Sequence, residues 1–323
     1  MSFESGPKKF NKDSLFADSL KESRQRDGTV YGEWHTARME EKEPKFYLKT
    51  RLAEVAGQTS PGGPKSKYGK VNEDCLSIAS FPKRSSIILI DGAGGSGNGR
   101  LAAEIGTGAM TQALRQGKSS LDAWLQADDL IRQYGQKGYA VGVLANITME
   151  SGPRPKVEIL SVGDSKLMTI RDGQKVPELT TKFQNVAQQM VDNLNIKPED
   201  YYNDDELNIL TAAIGIKEKD KPQMIEFVGQ EGDLLIVASD GVWDVISEFE
   251  IEEICREAKQ NPGKIEEKIY KLAHKRNNSS EFEIQHNQKI SVTKRMTHGG
   301  DNITLAVMKI DTAKFNNTFK SKK

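Results

Sequence analysis

Acidic residues accompanied by glycine or asparagine recur at four points where a hydrophobic run begins or ends. They lie in the short motifs NED at 72–74, DG at 91–92, SDG at 239–241 and GDN at 300–302. A strand end holds a side chain rigidly while leaving it open to a cleft, which is the placement that a metal ligand needs. Hard divalent cations prefer carboxylate oxygens, backbone carbonyls and water. The pattern therefore indicates a divalent-metal site assembled from separate strand ends.

Two of the motifs directly follow hydrophobic runs. Asp91 comes after IILI and Asp240 comes after LLIVAS, and a glycine follows each of them. Gly92 permits a sharp turn of the backbone, so its carbonyl could also face a metal. A carboxylate beside a buried run is costly unless it is paired or bound to a metal. Each motif alone is nevertheless typical of an ordinary turn from a strand into a loop.

The other two motifs precede hydrophobic runs. Glu73 and Asp74 come just before CLSIASF, and Asp301 comes just before ITLAVMKI. Neighbours on an extended segment point to opposite sides, so Glu73 and Asp74 could both serve one site only at a bend. Asn302 could hold its loop by side-chain hydrogen bonds. Alone these acids are typical of surface turns, but the four motifs together are far more specific and predict a common metal centre.

Hydrophobic periodicity and turn residues predict the elements that would position these motifs. Strands are predicted at 75–81, 85–92, 139–149, 156–173, 233–241 and 303–310. Helices are predicted at 101–116, 121–135, 248–260 and 264–276. Strand-rich segments at both ends, with helices grouped in runs between them, favour mixed sheets covered by helices.

Composition argues against several classes of protein. Lys plus Arg and Asp plus Glu each total 46, so the formal net charge is zero, which argues against a dedicated nucleic-acid binder. Neither Cys75 nor Cys255 lies in a CxxC pair, so a zinc site is not expected. The sequence has no apolar run long enough to span a membrane and no apolar signal core, so we expect no membrane association and a cytoplasmic protein.

Six segments carry a family resemblance. In chain order, and covering roughly residues 65 to 310, they are VNEDCLSI, IILIDGAGG, SVGDSKLMTI, ILTAAIGI, GDLLIVASDGVWDVIS and HGGDNITLAVMKI. The chain resembles the PPM-type protein phosphatases, the metal-dependent type 2C serine/threonine phosphatases, and SDGVWD and GGDNIT are especially specific. The resemblance implies an α+β fold: a central β-sandwich of two antiparallel sheets flanked by helices, with metals at one end of the sandwich.

The resemblance also implies roles for the acidic motifs. Asp91 would bridge two Mg²⁺ or Mn²⁺ ions. Asp240 and Asp301 would hold one ion, and Glu73 and the Gly92 carbonyl would hold the other. These are residues of the strand-end motifs themselves, so the resemblance and the residue pattern point to the same positions.

Asp74 and the segment 163–165 would lie beside the metals without binding them directly. Asp74 would bind a metal-coordinated water and complete the catalytic set with Asp91, Asp240 and Asp301, whereas Gly-Asp-Ser at 163–165 would be a structural turn. Two divalent ions lower the pKa of a shared water. The implied function is hydrolysis of phosphoserine and phosphothreonine on phosphorylated proteins by this metal-activated water.

Three positions depart from the family pattern. Ala93 stands where many members have a histidine that could protonate the leaving group. Gly69 stands where an arginine usually grips the substrate phosphate; Lys70 is a weak candidate to replace its charge, because a lysine lacks the bidentate fork. Lys182 stands where an acid often helps to bind a third metal, and its charge would repel a third cation.

Three parts are predicted along the chain. Residues 1–50 form a charged N-terminal extension, either disordered or docked, that could bind a partner. Residues 51–312 form the phosphatase-like catalytic domain, and residues 313–323 form a basic C-terminal tail.

Two other functions compete with the protein phosphatase. The departures at Gly69 and Lys182 favour a catalytically weak or inactive protein that keeps the fold for binding or regulation. A metal-dependent phosphatase of small metabolites is the third hypothesis. The acidic run at 199–206 could select basic substrates, although a solvated acidic loop is the plainer interpretation. The sequence does not specify the physiological substrate or the oligomeric state.

Overall fold

The computed structural model describes residues 23–24, 30–31, 33–35, 45–62, 71–81, 83–94, 98–149, 154–216, 221–296 and 300–313. The strands are β1 Ser23–Arg24, β2 Val30–Tyr31, β3 Glu33–His35, β4 Lys45–Lys49, β5 Ala53–Ser60, β6 Asp74–Phe81, β7 Arg84–Ala93, β8 Tyr139–Thr148, β9 Lys156–Val162, β10 Lys166–Arg171, β11 Gln174–Lys175, β12 Gln223–Val228, β13 Leu234–Ala238, β14 Glu281–Gln285, β15 Ser291–Arg295 and β16 Ile303–Ile310. The α-helices are α1 Asn98–Arg115, α2 Ser120–Tyr134, α3 Val186–Asp192, α4 Asp240–Trp243, α5 Glu248–Glu257 and α6 Pro262–Asn277, and 3₁₀ helices lie at Pro177–Leu179 and Pro198–Asn203.

Two six-stranded antiparallel sheets form a sandwich. The strand order is β11-β10-β13-β16-β5-β4 in sheet one and β12-β9-β8-β7-β6-β3 in sheet two. Two small sheets, β1-β2 and the hairpin β14-β15, complete the described strands. The predicted fold class, a central sandwich of antiparallel sheets flanked by helices, is confirmed.

The strand β7 shows why its sequence lacks the usual alternation of polar and apolar residues. Ile87 and Leu89 lie in the core between the sheets, while Ile88 and Ile90 lie in a second core with helices α1 and α2. Both faces of the strand are covered, so a continuous apolar run is needed. A third core packs the outer face of sheet one against α4, α5 and α6. The sandwich is therefore enclosed by helices on both sides, and its strand ends are left to form the site.

The single strand predicted at 156–173 is wrong. The chain turns at Gly163, whose φ is +88°, and β9 joins sheet two while β10 joins sheet one. A side chain at Gly163 would place its Cβ 2.1 Å from Cγ1 of Val141, so the position requires glycine for both space and conformation. The hydrophobic run continues through this crossing, which hid the change of sheet.

Parts of the predicted N-terminal extension pair with the sandwich. Trp34 of β3 is the register partner of Ile78 in β6, and β4 pairs with β5. The boundary at residue 50 stays a prediction, and most of the C-terminal tail lies outside the described residues. Among the helices described, none combines the length and the apolar character that crossing a membrane would require.

Candidate metal centre

The two sheets bring the acidic motifs to the same end of the sandwich. Asp74, the first residue of β6, is the register partner of Asp91 near the end of β7. In sheet one, β13 ends just before Asp240 and β16 begins just after Asp301. Because β13 and β16 are antiparallel, the end of one strand meets the start of the other, and the Ser239 amide donates to the Thr304 carbonyl at 3.0 Å. Neighbouring strands of each sheet therefore contribute acids to one cleft.

Burial and neighbouring carboxylates both act on the acids of this cleft. Burial raises the pKa of Asp91 well above its usual range. Four nearby carboxylates raise it further: Asp74, Asp240, Asp164 and Asp301. Burial also raises the pKa of Asp74 to about 6, although hydrogen bonding to Thr304 and Ser239 opposes the shift. Like charges in one poorly solvated cleft disfavour ionisation, and a cation would relieve that cost.

Glu73 and Gly92 are held together where β6 begins and β7 ends. The Gly92 amide donates to the Glu73 carbonyl at 3.2 Å, and the Glu73 side chain is buried. A Cβ on Gly92 would lie 2.0 Å from the carbonyl oxygen of Gly99 at the start of α1. Glycine is therefore required at position 92 by the close approach of two backbones, which fixes the segment after Asp91.

Asn302 ties the two sheets together at the site. Its Oδ1 accepts a hydrogen bond from the Glu73 amide at 2.8 Å, and its Nδ2 donates to the Val71 carbonyl at 3.1 Å. The Asn302 amide donates to Oδ1 of Asp301, also at 2.8 Å. The prediction that Asn302 holds its loop by side-chain hydrogen bonds is confirmed. The Asn302 side chain also links the first acidic motif to the last.

Asn277, the last residue of α6, is a positioning residue that the sequence did not reveal. Its Nδ2 donates to the Gly241 carbonyl at 2.7 Å, and its Oδ1 accepts from the Asp301 amide at 3.1 Å. One side chain thus fixes both α4, which carries Asp240, and the loop that carries Asp301. An asparagine at a helix end has no sequence signal for this role, because its partners lie far away along the chain.

Ser239 and the turn at 163–165 also lie at this end. Ser239 Oγ donates to Oδ2 of Asp74 at 2.9 Å and so orients that carboxylate. The Gly163 amide donates to Oε1 of Gln184 at 2.8 Å. Asp164 follows this anchored glycine, and its charge reaches Asp91. Its assignment as a structural rather than a metal-binding residue stays a prediction.

The donor set suits a hard divalent cation. Carboxylate oxygens are the ligands that Mg²⁺ and Mn²⁺ prefer. Burial, and then repulsion by neighbouring carboxylates, raises the pKa of Asp91, and a bound cation would offset both. Across the described part of the chain, no three or more His, Cys, Asp or Glu side chains already stand in the geometry of a metal site.

The positions that depart from the family pattern are only partly described. Lys70, the predicted phosphate-binding residue, and Gly69 lie outside the described residues. Ala93 ends β7 and is partly buried. The Lys182 ammonium is exposed and forms an ion pair with Asp192 at 3.2 Å. Its charge is therefore partly offset by a neighbouring acid on α3.

A cavity of about 310 Å³ opens beside the strand-end acids, and we call it the acidic cavity. Its lining includes Asp240 and Asp301 from the site, and Asp204 and Asp205 from the segment after the second 3₁₀ helix. Two residues of β15, Lys294 and Arg295, line it as well. The acidic run of the sequence therefore reaches the same space as the predicted metal ligands.

A second cavity, of about 320 Å³, also borders α4, and we call it the aromatic cavity. Trp243 and Phe183 line it together with the ion pair of Lys166 and Glu248, whose nitrogen and oxygen lie 2.5 Å apart. The Lys166 ammonium also lies 4.2 Å from the centroid of the Phe183 ring. This cavity holds none of the predicted metal ligands among its described lining residues.

Comparison with known proteins decides the family. The family model described as protein phosphatase 2C matches residues 62–260, which is more than half of the chain. The chain belongs to the protein phosphatase 2C family. The resemblance predicted from the acidic motifs is thereby confirmed, and with it the assignment to a family of metal-dependent phosphatases.

Curated relatives of this 2C family member come from bacteria. The serine/threonine phosphatase stp of Listeria monocytogenes is 26% identical over 241 residues, covering 70% of this chain and 84% of that protein. The protein phosphatase PhpP of Streptococcus pneumoniae is 26% identical over 186 residues, covering 53% of this chain and 72% of that protein. The similarity thus spans most of each relative.

Solved structures of serine/threonine phosphatases share the fold. The Streptococcus agalactiae serine/threonine phosphatase superposes with a TM-score of 0.61 at 20% identity, covering 80% of this chain and 100% of that one. The catalytic domain of the serine/threonine protein phosphatase PstP, solved in complex with two manganese ions, superposes with a TM-score of 0.57 at 19% identity, covering 80% and 98%. At such low identity the likeness supports the architecture alone.

Proposed function

We propose that this 2C family member hydrolyses phosphoserine and phosphothreonine on proteins, using two Mg²⁺ or Mn²⁺ ions. The observation that carries the proposal is the convergence of Asp74, Asp91, Asp240 and Asp301 at one end of the sandwich, where strand register and hydrogen bonds join their segments. Four carboxylates from four different strand ends have no structural need to meet, since their mutual repulsion disfavours the fold. A cationic centre would offset this repulsion and would explain why the four carboxylates meet.

The proposed ligands are the residues that the sequence indicated. Asp91 would contact both ions, Asp240 and Asp301 would hold one, and Glu73 and the Gly92 carbonyl would hold the other. When bound, such ions would activate a water molecule and neutralise charge on the phosphoryl oxygens. The PstP structure was solved with two manganese ions, and the proposal takes the same kind and number of ions for this chain by analogy.

The chain itself holds the acids in place before any ion binds. Ser239 orients Asp74 through a hydrogen bond of 2.9 Å, and Asn302 joins the segment of Glu73 to the loop of Asp301. A site of this kind depends on positioning, because misplaced ligands lose both the ions and the attacking water. These polar contacts are therefore expected to matter for turnover although they touch no substrate.

A cysteine nucleophile does not compete with this proposal. Cys75 and Cys255 are both buried and free. Burial raises the pKa of each thiol to about 12, so neither forms a thiolate near neutral pH. A water-based reaction needs no protein nucleophile.

The test is manganese-dependent release of phosphate from a phosphothreonine peptide by wild type and by Asp240→Asn. Loss of a metal ligand should cost at least as much as loss of an outer-shell partner, so we expect activity to fall by at least about 100-fold. Asp172→Asn is the matched control, because Asp172 lies exposed in the β10–β11 turn with φ +52°, which asparagine tolerates.

The same assay separates the competing functions. Manganese binding without turnover on any phosphoester would support a binding or regulatory protein. Turnover of small phosphorylated metabolites in preference to phosphopeptides would support a metabolite phosphatase. Equal activity of wild type and Asp240→Asn would contradict the metal centre altogether.

A further inference from the structure

We propose that Lys294, on the hairpin β14–β15, is the residue that binds the substrate phosphate in the acidic cavity. This inference rests on the proposed phosphatase function and names a substrate-binding residue for it. The hairpin lies between the segments GDLLIVASDGVWDVIS and HGGDNITLAVMKI, so no family motif covers it. The case comes from the cavity's charges and from the surroundings of the Lys294 side chain.

A phosphate group could bind in the acidic cavity only if cations offset the carboxylate charge of its walls. Its described lining residues include five aspartates, Asp204, Asp205, Asp240, Asp244 and Asp301, and two cations, Lys294 and Arg295. A phosphate dianion entering this space meets carboxylate charge on several sides. Metal ions at Asp240 and Asp301 would neutralise one wall, and a protein cation on another wall would hold the remaining phosphoryl oxygens.

Lys294 is buried but carries an ammonium with unused donors. Its side chain is only 8% exposed, and its Nζ donates to the Asp244 carbonyl at 2.9 Å. An ammonium has three donor hydrogens. The one partner recorded for it in the described part of the chain is a neutral carbonyl, so its positive charge is not cancelled by an ion pair. A buried charge without a counter-ion is costly, and an anionic ligand would supply the counter-ion.

Lys166 shows what a purely structural buried lysine looks like in this protein. It is as buried as Lys294, but its ammonium lies 2.5 Å from Glu248 and is covered by the Phe183 ring. Its charge is already satisfied within the aromatic cavity. Lys294 lines the acidic cavity and has no carboxylate partner among the described residues.

Arg295 is a weaker candidate than its neighbour. It forms an ion pair with Glu281 at 2.8 Å, and its side chain is 78% exposed. A guanidinium that is solvated and already paired holds an incoming anion less firmly than a buried ammonium without a carboxylate partner. Arg295 therefore belongs to the mouth of the cavity and Lys294 to its wall.

The hairpin is rigid enough to position a ligand. Arg276 of α6 donates to the Glu283 carbonyl at 2.6 Å, and Glu250 of α5 accepts from the Gln285 amide at 3.1 Å. Asn203 donates to the Thr293 carbonyl, next to Lys294, at 2.9 Å. Binding residues placed on fixed elements hold their geometry better than those on free loops.

The test compares wild type with Lys294→Met by two measurements on the manganese-loaded protein. They are KM for a phosphothreonine peptide and the inhibition constant of inorganic phosphate. Removing a charged hydrogen bond should raise both by about tenfold or more. Manganese affinity, measured by calorimetry, should not change, and Lys294→Arg should recover part of the phosphate binding because it keeps the charge.

Lys166→Met is the matched control, since it removes an equally buried ammonium from the other cavity and should leave KM unchanged. Should Lys294→Met fail to fold, Lys294→Gln keeps a donor for the Asp244 carbonyl without the charge and carries the same expectation. Wild-type KM and phosphate inhibition in the neutral variant would overturn the inference. Parallel loss of manganese and phosphate binding in both the neutral variant and Lys294→Arg would also overturn it. That result would show that Lys294 only supports the position of α4.

Failure of the proposed function gives a different result. A wild-type protein without manganese-dependent turnover would contradict the phosphatase assignment. Calorimetric titration of that protein with inorganic phosphate would still test Lys294. Weaker binding by Lys294→Met would support its role as an anion site, and equal binding by both proteins would contradict it.

Discussion

The acidic and aromatic cavities both border α4 and have nearly the same volume, about 310 and 320 Å³. One helix of four residues serves both, because Asp240 at its start faces the first and Trp243 at its end faces the second. Each cavity also contains one buried lysine. The two spaces therefore differ in how their charges are balanced rather than in size.

In the aromatic cavity the charges are satisfied within the chain. Lys166 and Lys175 both form ion pairs with Glu248, and the indole nitrogen of Trp243 donates to the Ala238 carbonyl at 3.0 Å. In the acidic cavity, five aspartates line the described walls and the hydrogen-bond partner of Lys294 is a neutral carbonyl. A satisfied buried network stabilises a fold, whereas a buried ammonium without a carboxylate partner favours an anionic ligand.

The largest expected effect is loss of activity in Asp91→Asn, a substitution among the strand-end acids beside the acidic cavity. We expect phosphate release to fall at least about 100-fold, because this residue is the proposed ligand of both ions. The metal-free variant should be no less stable than wild type in urea denaturation, since the substitution removes one of several repelling charges. A variant that is both inactive and strongly destabilised would contradict the assignment of catalysis to the acidic cavity and of stability to the aromatic one.

The next largest expected effect is a loss of stability from a substitution in the aromatic cavity. Glu248→Gln leaves the buried Lys166 without its carboxylate partner. Breaking a buried ion pair in this way should lower the free energy of unfolding by about 3 kcal/mol. Urea denaturation measures this loss, and kcat and KM at a temperature where the variant is folded should match wild type. A variant of wild-type stability but altered KM would reverse the roles assigned to the cavities.

The pH dependence of stability sharpens the same assignment. Burial alone would raise the pKa of Glu248, but the ammonium groups of Lys166 and Lys175 outweigh it and lower that pKa to about 2. A lowered carboxyl pKa gives stability that is present above the unfolded value of about 4.5 and is lost as pH falls toward the folded value. The difference in unfolding free energy between wild type and Glu248→Gln should therefore shrink as pH falls from about 5 to about 3. A constant difference over this range would contradict the ion pair as its source.

The smallest expected effect concerns substrate choice. Asp205 is exposed and lines the acidic cavity. Asp205→Asn should lower kcat/KM less than about fivefold for a phosphopeptide with flanking lysines, because exposed charges interact weakly. A neutral phosphopeptide of the same length should be unaffected. Equal loss for both peptides would show that the acidic run does not read substrate charge.

The acidic site could be predicted from sequence because its signals are local. Each proposed ligand lies beside a hydrophobic run that ends or begins there, and Gly92 marks the turn after Asp91. These features follow from the strand in which they lie, so no knowledge of distant contacts is needed. Predicting that they converge also required the arrangement of the strands, which came from the family resemblance.

The supporting residues could not be predicted in this way. Asn277 and Lys294 act through partners that only folding brings near, namely Gly241 with Asp301 and the Asp244 carbonyl. The hairpin did carry a signal, because EFEIQ at 281–285 alternates polar and apolar residues as an edge strand does. The crossing at Gly163 was missed because a buried hydrophobic run looks the same whether it stays in one sheet or changes sheets.

The central claim is that Asp91, Asp240 and Asp301 converge on a pair of divalent cations. Crystals grown with manganese and measured at its absorption edge test it directly. The account predicts two anomalous peaks at this end of the sandwich, with an Asp91 oxygen within bonding distance of both and with Asp240 and Asp301 beside one of them. Three carboxylates directed away from one another, with no anomalous peak among them, would contradict it.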